Sequence, residues 1–194
     1  KSKIYQLARK NVPPALKILT ADAKIGVPAA QLTLAKMHET GQGVSLDYNE
    51  AFKWYQLALK QGHTPAKSKI YQLARKNVPP ALKIVRNDAK RGVAKAQLTL
   101  GQMHEKGQGV TLDYNEAFKW YQLVANQGYP SIKDYIYIFA RKGVQGAIKI
   151  LMSDANNGIG MAQFRLGSMY ERGQTVPLDY NQAFKWYQLA RINE

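Results

Sequence analysis

Apolar residues recur along this chain at intervals of three and four positions, the spacing of one face of an amphipathic helix. In the first segment Ile4, Leu7 and Ala8 follow that spacing. They predict a helix from about Lys3 to Lys10 with one buried face. Comparable patterns continue to the end of the sequence, and no segment shows the strict alternation that a half-buried strand would require.

Proline and glycine indicate where the next helices begin and end. Proline is tolerated in the first turn of a helix, where its missing N–H would be unpaired, and glycine just after a helix adopts a left-handed conformation at little cost. The boundary residues are Pro13, Pro14, Gly26, Gly41 and Gly62. The predicted helices run from Pro13 to about Lys24, from about Pro28 to Glu39, and from Tyr48 to Gln61.

The start of the fourth helix carries the clearest local signal. Asp47 is a suitable N-cap, because its carboxylate can accept from the free amides of the first turn. Glu50 three residues later completes a capping-box-like pair. The helix then places Phe52, Tyr55 and Leu57 for burial. The capping positions return twice more, as Asp113/Glu116 and Asp179/Gln182.

The whole pattern repeats at a fixed offset of 66 residues. Residues 42–57 return as 108–123 and again as 174–189, and the alignment extends over the full chain without a gap. A fixed period is the signature of a repeat array, in which each unit buries its apolar faces against its neighbours. The sequence therefore predicts an all-α solenoid of about twelve helices. It would form one domain, 1–194, built from units 1–66, 67–132 and 133–194.

Part of each unit resembles a known repeat. Residues 30–44 read Ala-Gln-Leu-Thr-Leu-Ala-Lys-Met-His-Glu-Thr-Gly-Gln-Gly-Val, followed by Asp47 and by Ala-Phe-Lys-Trp-Tyr at 51–55. This segment is similar to the Sel1-like repeat, a relative of the tetratricopeptide repeat. The third unit matches the pattern best around Leu166-Gly167 and Tyr170. The sequence departs from the family pattern at Ala35, which replaces a glycine, at His38 and His104, which replace a tyrosine, and at Thr175, which replaces a loop glycine. The Lys-Ala dipeptide of the pattern is Glu-Ala at 50–51 and 116–117 and Gln-Ala at 182–183.

The resemblance implies a right-handed superhelix of antiparallel helix pairs that binds proteins or peptides and has no catalytic activity. Bacterial members often act in the periplasm, and some are immunity proteins that block secreted antibacterial effectors, including lipases. The resemblance thus predicts a periplasmic or secreted protein, with the cytoplasm left open. The chain starts at Lys1 and not at Met, so we expect that an upstream segment, where an export signal would lie, has been removed.

Composition narrows the chemistry. The net charge is +15, the basic excess is spread over all three units, and there is no cysteine. Disulfides, thiolate metal sites and a cysteine nucleophile are therefore excluded. A basic field of this kind steers anionic partners, which include acidic proteins, nucleic acids and anionic membranes. No apolar run approaches the length of about 20 residues that a membrane-spanning helix needs.

The remaining candidate motifs favour structural roles. Gly41-Gln42-Gly43 follows a helix and precedes an N-cap, whereas a dinucleotide fingerprint follows a strand. The Trp-Tyr pairs that begin at Trp54, Trp120 and Trp186 are expected to pack in the core. His38 and its copies lack the convergent ligands of a zinc site. We therefore expect no metal, no cofactor, no small-molecule substrate and no enzymatic activity.

Comparison of the units with one another suggests a partner surface. On the third helix of each unit, positions 29/95/161, 33/99/165, 36/102/168 and 40/106/172 vary, and their spacing puts them on one helical face. Positions 3/69/135 and 6/72/138 vary likewise on the first helix. The alternative interpretation is an unconstrained solvated face. The residues predicted to bind a partner on the concave side are Lys3, Lys36, Lys69, Lys95, Gln102, Tyr135, Ile138, Met161, Arg165 and Ser168.

Two functional hypotheses follow, with the oligomeric state left open. The first is a non-enzymatic scaffold that holds an acidic protein or peptide on its concave face, as an immunity protein would hold an effector. The second is a module that binds nucleic acid or anionic lipid through its basic surface, and a third interpretation is an architectural module within a larger protein. Nucleic-acid binding would weaken steeply as salt rises.

Overall fold

The computed structural model describes residues 2–129 and 132–192, which form twelve α-helices without a strand. The all-α class and the four helices per repeat are therefore confirmed. The helices are α1 (Ser2–Arg9), α2 (Pro13–Lys24), α3 (Pro28–Thr40), α4 (Tyr48–Lys60), α5 (Pro65–Arg75), α6 (Pro79–Lys90), α7 (Ala94–Lys106), α8 (Tyr114–Ala125), α9 (Lys133–Arg141), α10 (Gln145–Asn156), α11 (Gly160–Arg172) and α12 (Tyr180–Ile192).

The predicted boundary residues lie where the helices start and stop, within a residue or two. Gly41 is left-handed and its N–H donates to the carbonyl of Met37, so it closes α3. At the start of α4 the Asp47 side chain accepts from the amides of Asn49 and Glu50. The reciprocal half of the predicted capping box does not form. Glu50 pairs with Lys53 one turn along the helix, and the Asp47 amide donates to the carbonyl of His38.

The helices group into two compact units. The first contains the described residues up to Arg91 together with residues 108–110, and the second contains Gly92–Gly107 and the described residues from Thr111 onward. Within each unit, consecutive helices pack against each other, and their short connections make them antiparallel. That the three repeats join into one continuous domain stays a prediction. Among the described residues no helix is both long and apolar enough to cross a membrane.

The core of the first unit contains both aliphatic and aromatic side chains, and Leu19, Leu34 and Met37 are nearly inaccessible to solvent. Two of the predicted core residues are wrong. Leu7 is 46% exposed and Leu57 is also exposed. Leu57 lies one position off the buried stripe of α4, which is formed by Ala51, Phe52, Tyr55 and Ala58. Leu7 lies on a side of α1 that its neighbours α2 and α3 leave exposed.

The core of the second unit also contains aromatic rings, which pack on one another. Tyr121 and Phe139 are almost fully buried, with ring centroids 5.5 Å apart. Gly146 on α10 approaches the ring of Phe118 so closely that an added Cβ would lie 2.7 Å from a ring carbon. Helices α8 and α10 therefore pack closely at this crossing, and a residue with a Cβ at position 146 would require the Phe118 ring to shift.

Candidate partner-binding surface

A tyrosine–aspartate hydrogen bond recurs once in every repeat. The tyrosine lies on the first helix of the repeat and the aspartate on the second, and the Oη to Oδ2 distance is 2.7 Å each time. Burial, together with the neighbouring carboxylate, raises the pKa of Tyr5 to about 12 and raises that of the other two tyrosines as well. The three pairs are Tyr5–Asp22, Tyr71–Asp88 and Tyr137–Asp154.

A second recurring bond joins the third and fourth helices. A tyrosine on the fourth helix donates to a glutamate on the third, at 2.6 to 2.8 Å. Burial is the main cause that raises the pKa of Tyr55 and of Tyr187, and the hydrogen bond to the glutamate raises it further. The three pairs are Tyr55–Glu39, Tyr121–Glu105 and Tyr187–Glu171. These bonds let buried tyrosine hydroxyls find acceptors, so packing does not leave a polar group unsatisfied.

The remaining carboxylates are mostly engaged at helix starts. Asp47, Asp113 and Asp179 accept from backbone amides of the following turn. The amide of Glu50 in particular lowers the pKa of Asp47. In the first turn of α4, Glu50 pairs with a lysine, and Glu116 does the same in the first turn of α8. Asp134 is exposed, and Glu194 lies outside the described residues.

Most of the carboxylates are thus engaged in hydrogen bonds or ion pairs within the chain. Some lysines join the same contacts: Lys67 lies 2.9 Å from Asp88, and Lys133 lies 3.3 Å from Asp154. The lysines far outnumber these pairs, because the chain has 28 basic and 13 acidic residues. The basic excess is therefore carried by side chains that reach the surface, such as Lys3, Lys36 and Lys95.

In the first unit, the variable positions of the first and third helices meet at one groove. It has a volume of about 290 Å³ and lies between α1 and α3. Gln6, Ala29 and Thr33 belong to the positions that vary between repeats, so the structure brings these positions together. Lys3 and Lys36 are exposed on the same two helices. The residues that line the groove are Ser2, Tyr5, Gln6, Arg9, Val27, Ala29 and Thr33.

A larger groove in the first unit was missed by the sequence comparison. Its volume is about 480 Å³, and Tyr48, Arg75 and Lys76 line it together with Glu39, Thr40, Gln72 and Gln108. The search for variable positions passed over Tyr48 and Arg75 because they are the same in every repeat. The predicted contact residue Lys69 lies nearby, but its Nζ is 3.8 Å from Glu39 and donates to Gln72. Part of its charge is therefore compensated within the chain.

In the second unit, α9 and α11 are neighbours and carry five of the predicted contact residues, whereas Lys95 and Gln102 lie on α7. Tyr135 and Met161 are about half exposed, and Ile138, Arg165, Ser168 and Gln102 are partly buried. Tyr135 stacks on Tyr121, with ring centroids 5.5 Å apart. The Nε atom of Arg165 is buried and meets no hydrogen-bond partner within the described residues.

One part of the variable-face argument is wrong. It required position 33/99/165 to face solvent in every repeat, but Thr99 is buried, and its hydroxyl donates to the carbonyl of Lys95 at 2.7 Å. A position can therefore vary between repeats while it is buried in one of them. Variation alone does not identify a partner surface, and the predicted contact residues stay a prediction.

The histidines contribute hydrogen bonds to loops. His38 Nδ1 lies 3.3 Å from the carbonyl of Ser45, and His104 Nδ1 lies 3.2 Å from that of Thr111. Each contact ties the end of a third helix to the loop that follows it. In the part of the chain that the structure describes, no three acidic or histidine side chains converge in a way that could hold a metal ion.

Curated relatives share the repeat but are mostly longer. The chain is 33% identical over 110 residues to a Sel1-like repeat-containing protein of Acanthamoeba polyphaga mimivirus. The aligned region covers 55% of this chain and 20% of that protein. The chain is 33% identical over 120 residues to chitin synthase regulatory factor 3 of Schizosaccharomyces pombe, covering 57% of this chain and 13% of that protein. The chain thus spans about a fifth or less of these two relatives.

Two solved structures are similar to the chain over most of its length. A Sel1 repeat protein from Oxalobacter formigenes is 26% identical, with 99% of this chain and 83% of that chain covered and a TM-score of 0.44. An immunity protein from Pseudomonas aeruginosa is 17% identical, with coverages of 99% and 81% and a TM-score of 0.35.

The family model for the Sel1 repeat matches three segments, each beginning at a third helix and ending at or just beyond the fourth helix. The segments are residues 28–63, 94–129 and 160–191, which together make up more than half of the chain. The glycine loop, the aspartate N-cap and the Tyr–Glu bond described above all lie within them. The protein therefore belongs to the Sel1 repeat family.

Proposed function

We propose that the protein is a non-catalytic scaffold that binds an acidic protein or peptide on its first and third helices. Sel1 repeats are typical of protein–protein interaction and generally serve as non-catalytic scaffolds. The observation that carries the acidic preference is the internal use of carboxylates. Because tyrosines, helix starts and lysines engage most of them, the surface that remains is strongly basic.

The chemistry of the predicted contact residues fits such a partner. Exposed lysines provide long-range attraction, which raises the rate of encounter with an anionic surface. Tyr135 and Met161 add apolar area of the kind that anchors an interface once the encounter has occurred. The groove between α1 and α3 offers a place for a side chain or short segment of the partner.

The finer proposal is that the partner is a secreted antibacterial effector, such as a lipase, and that this protein neutralises it in the periplasm or outside the cell. Family membership and the basic surface support this proposal. An immunity protein must hold its effector tightly, and a rigid repeat scaffold loses little conformational freedom on binding.

Charge reversal at matched positions tests the acidic preference. The probe is a fluorescent peptide rich in aspartate and glutamate with two aromatic residues, measured by anisotropy at physiological salt. We expect Lys36→Glu with Lys95→Glu to weaken binding at least about fivefold, which corresponds to about 1 kcal/mol. The control pair, Lys83→Glu with Lys149→Glu, has the same net charge but lies on the second helices of the repeats. Equal losses in both pairs would show unspecific attraction and overturn the proposed surface.

The same basic excess favours a second candidate, binding of nucleic acid or anionic lipid. Such binding would depend on total charge, so both pairs of variants would lose affinity for duplex DNA or for phosphatidylserine vesicles equally. It would also fall steeply with salt concentration, in proportion to the number of phosphates contacted. Strong DNA or vesicle binding at physiological salt, combined with weak peptide binding, would favour this candidate over a protein partner.

A further inference from the structure

We propose that the exposed aromatic face of α12 binds the exposed face of α1 and α2 on a second copy of this chain, in a head-to-tail arrangement. The α12 face consists of Tyr180, Phe184 and Tyr187. The α1–α2 face consists of Lys3, Leu7, Lys10 and Pro14. The inference rests on an interface that the chain already forms internally and not on the proposed acidic partner, although Lys3 belongs to both surfaces.

The α12 face is exposed where its counterparts are covered. Phe184 is 64% exposed, whereas the equivalent Phe52 and Phe118 are only 6% and 8% exposed. Tyr180 is exposed as well, and Tyr187 is less buried than Tyr55 or Tyr121. The sequence of this face is the same in α4, α8 and α12. Its burial therefore depends on which helices lie against it.

In the second unit, α9 and α10 cover the equivalent face of α8. Tyr135 and Phe139 pack on Tyr121, each with a centroid distance of 5.5 Å. Lys142 Nζ lies 5.3 Å from the ring centroid of Tyr114, a cation–π contact. Gly146 lies against Phe118. The covering positions 135, 139, 142 and 146 form one continuous face of the helix pair.

These covering positions correspond to Lys3, Leu7, Lys10 and Pro14 in the first repeat. In the first unit, this version of the face is carried by α5 beside α4, where Phe52 and Tyr55 are nearly inaccessible to solvent. Residues 68–84 have the same sequence as residues 2–18, and α5 packs against α4. In that setting Leu73 is 1% exposed, whereas the equivalent Leu7 on α1 is 46% exposed. A surface that buries a leucine beside α4 is thus presented uncovered on α1.

A charged pair supports the same arrangement. In the first unit, Lys69 on α5 lies 3.8 Å from Glu39 on α3. The equivalent positions on the two uncovered faces are Lys3 and Glu171, both of which are exposed. Docking of α1–α2 from one copy on α12 of another would bring this lysine and glutamate together. The two faces differ from each other, so the contact is heterologous and can extend to a third copy.

Sedimentation velocity over a wide concentration range tests the proposal with the whole chain. We expect the wild-type mass to rise with concentration through a dimer to longer assemblies. Phe184→Glu and Leu7→Glu should each remove self-association, because each leaves one face of the pair unable to dock. An equimolar mixture of these two variants should form a heterodimer and nothing larger, since it retains one intact copy of each face.

The control is Leu123→Glu, which changes an exposed leucine of α8 outside both faces and should associate like the wild type. Circular dichroism verifies that each variant is folded, and Tyr180→Ser offers a second disruption of the α12 face. The chain has no cysteine, so Pro14→Cys and Phe184→Cys can be mixed as a pair. Because Gly146 lies against Phe118, we expect a disulfide in the mixture at a rate at least tenfold above that of either variant alone.

Three results would overturn the proposal. A wild-type chain that stays monomeric at all concentrations would show that the two faces do not bind each other. Association that survives Leu7→Glu but not Phe184→Glu would show a symmetric contact between two α12 faces. Absence of a heterodimer from the mixed variants would contradict the head-to-tail pairing even if both single variants were monomeric.

Discussion

Helices α1 and α5 have the same sequence over residues 2–9 and 68–75 and form the same secondary structure, yet their surroundings differ. Leu7 is 46% exposed and Leu73 is 1% exposed. Ile4 is partly buried, and Ile70 is inaccessible. Local sequence therefore determines the helix and its polar bonds, whereas burial is determined by the neighbouring helix.

The cause is the set of described helices that pack against each of the two. Helix α5 follows α4 and packs against it as well as against α6. Helix α1 packs on α2 and also contacts α3, and these contacts leave the side that bears Leu7 uncovered. In a repeat array, most of the stability of a unit comes from contacts of this type with its neighbours. The paired helices allow that contribution to be measured with the sequence held constant.

The largest expected effect is the difference between Leu73→Ala and Leu7→Ala. Removing a fully buried leucine costs about 3 kcal/mol of unfolding free energy, because the transfer term and the cavity term add. The same change at half-exposed Leu7 should cost less than about 1 kcal/mol. Urea denaturation at low protein concentration, followed by circular dichroism, measures both. Equal costs would show that α1 is covered in solution as α5 is.

A second comparison concerns the contact between the first helix and the glycine loop. In the first repeat Asn11 and Gly43 both have positive φ, and a Cβ on Gly43 would clash with the carbonyl oxygen of Ala8. In the third repeat the equivalent residues are Gly143 and Thr175, and the Thr175 hydroxyl donates to the carbonyl of Ala140. The first repeat therefore has its glycine in the loop after the third helix, whereas the third repeat has its glycine just after the first helix.

Gly43→Thr should therefore cost about 2 kcal/mol, from the left-handed backbone and the close carbonyl. Adding Asn11→Gly should recover part of that loss, because it gives the first helix the freedom that the third repeat has. Thr175→Gly should cost less than about 1 kcal/mol. Unfolding free energies from a double-mutant cycle measure the coupling between positions 11 and 43. Additive effects would contradict the compensation.

The sequence sufficed for the helices because their boundaries depend on local chemistry. Asp47 and Gly41 act within one turn of their own helices, so their roles could be recognised without knowledge of the tertiary structure. Burial could not be recognised in the same way. The spacing of Leu7 predicted a buried face, but α2 and α3 leave this side chain 46% exposed in the described structure.

The candidate surface was predictable only in part for the same reason. Variable positions such as Ala29 and Thr33 do line a groove, but buried Thr99 varies as well. Arg75 and Tyr48 were missed because they are identical in all repeats, and identity within a repeat can reflect either packing or binding. A residue's exposure and its ion-pair partners depend on which side chains approach from other helices. This information does not reside in the spacing of one helix.

A smaller difference is expected between Tyr71→Phe and Tyr5→Phe. Both hydroxyls donate to an aspartate at 2.7 Å, but the Tyr71–Asp88 bond is buried and the Tyr5–Asp22 bond is only partly so. Tyr71→Phe leaves a buried carboxylate short of a donor and should cost about 1 to 2 kcal/mol, against less than about 1 kcal/mol for Tyr5→Phe. Thermal melts at neutral pH measure both, with Tyr129→Phe on an exposed tyrosine as the control. A larger loss at Tyr5 would reverse the comparison of the two helices.

The smallest effect is a change of stability in alkaline solution. Burial, aided by the Asp22 carboxylate, raises the pKa of Tyr5 from 10.0 to about 12, and the pKa of Tyr71 is raised as well. The protonated phenol is therefore favoured by folding. Its contribution is fully present below pH 10 and is lost as the pH rises through the folded pKa. We expect the wild type to lose stability between about pH 10 and pH 12 more steeply than Tyr5→Phe does.

Urea unfolding at a series of pH values measures this slope, and phenolate absorbance near 295 nm follows the titration itself. If the two proteins have the same slope, or if the phenolate signal that Tyr5→Phe removes titrates near pH 10, the hydrogen bond to Asp22 does not hold the proton on Tyr5.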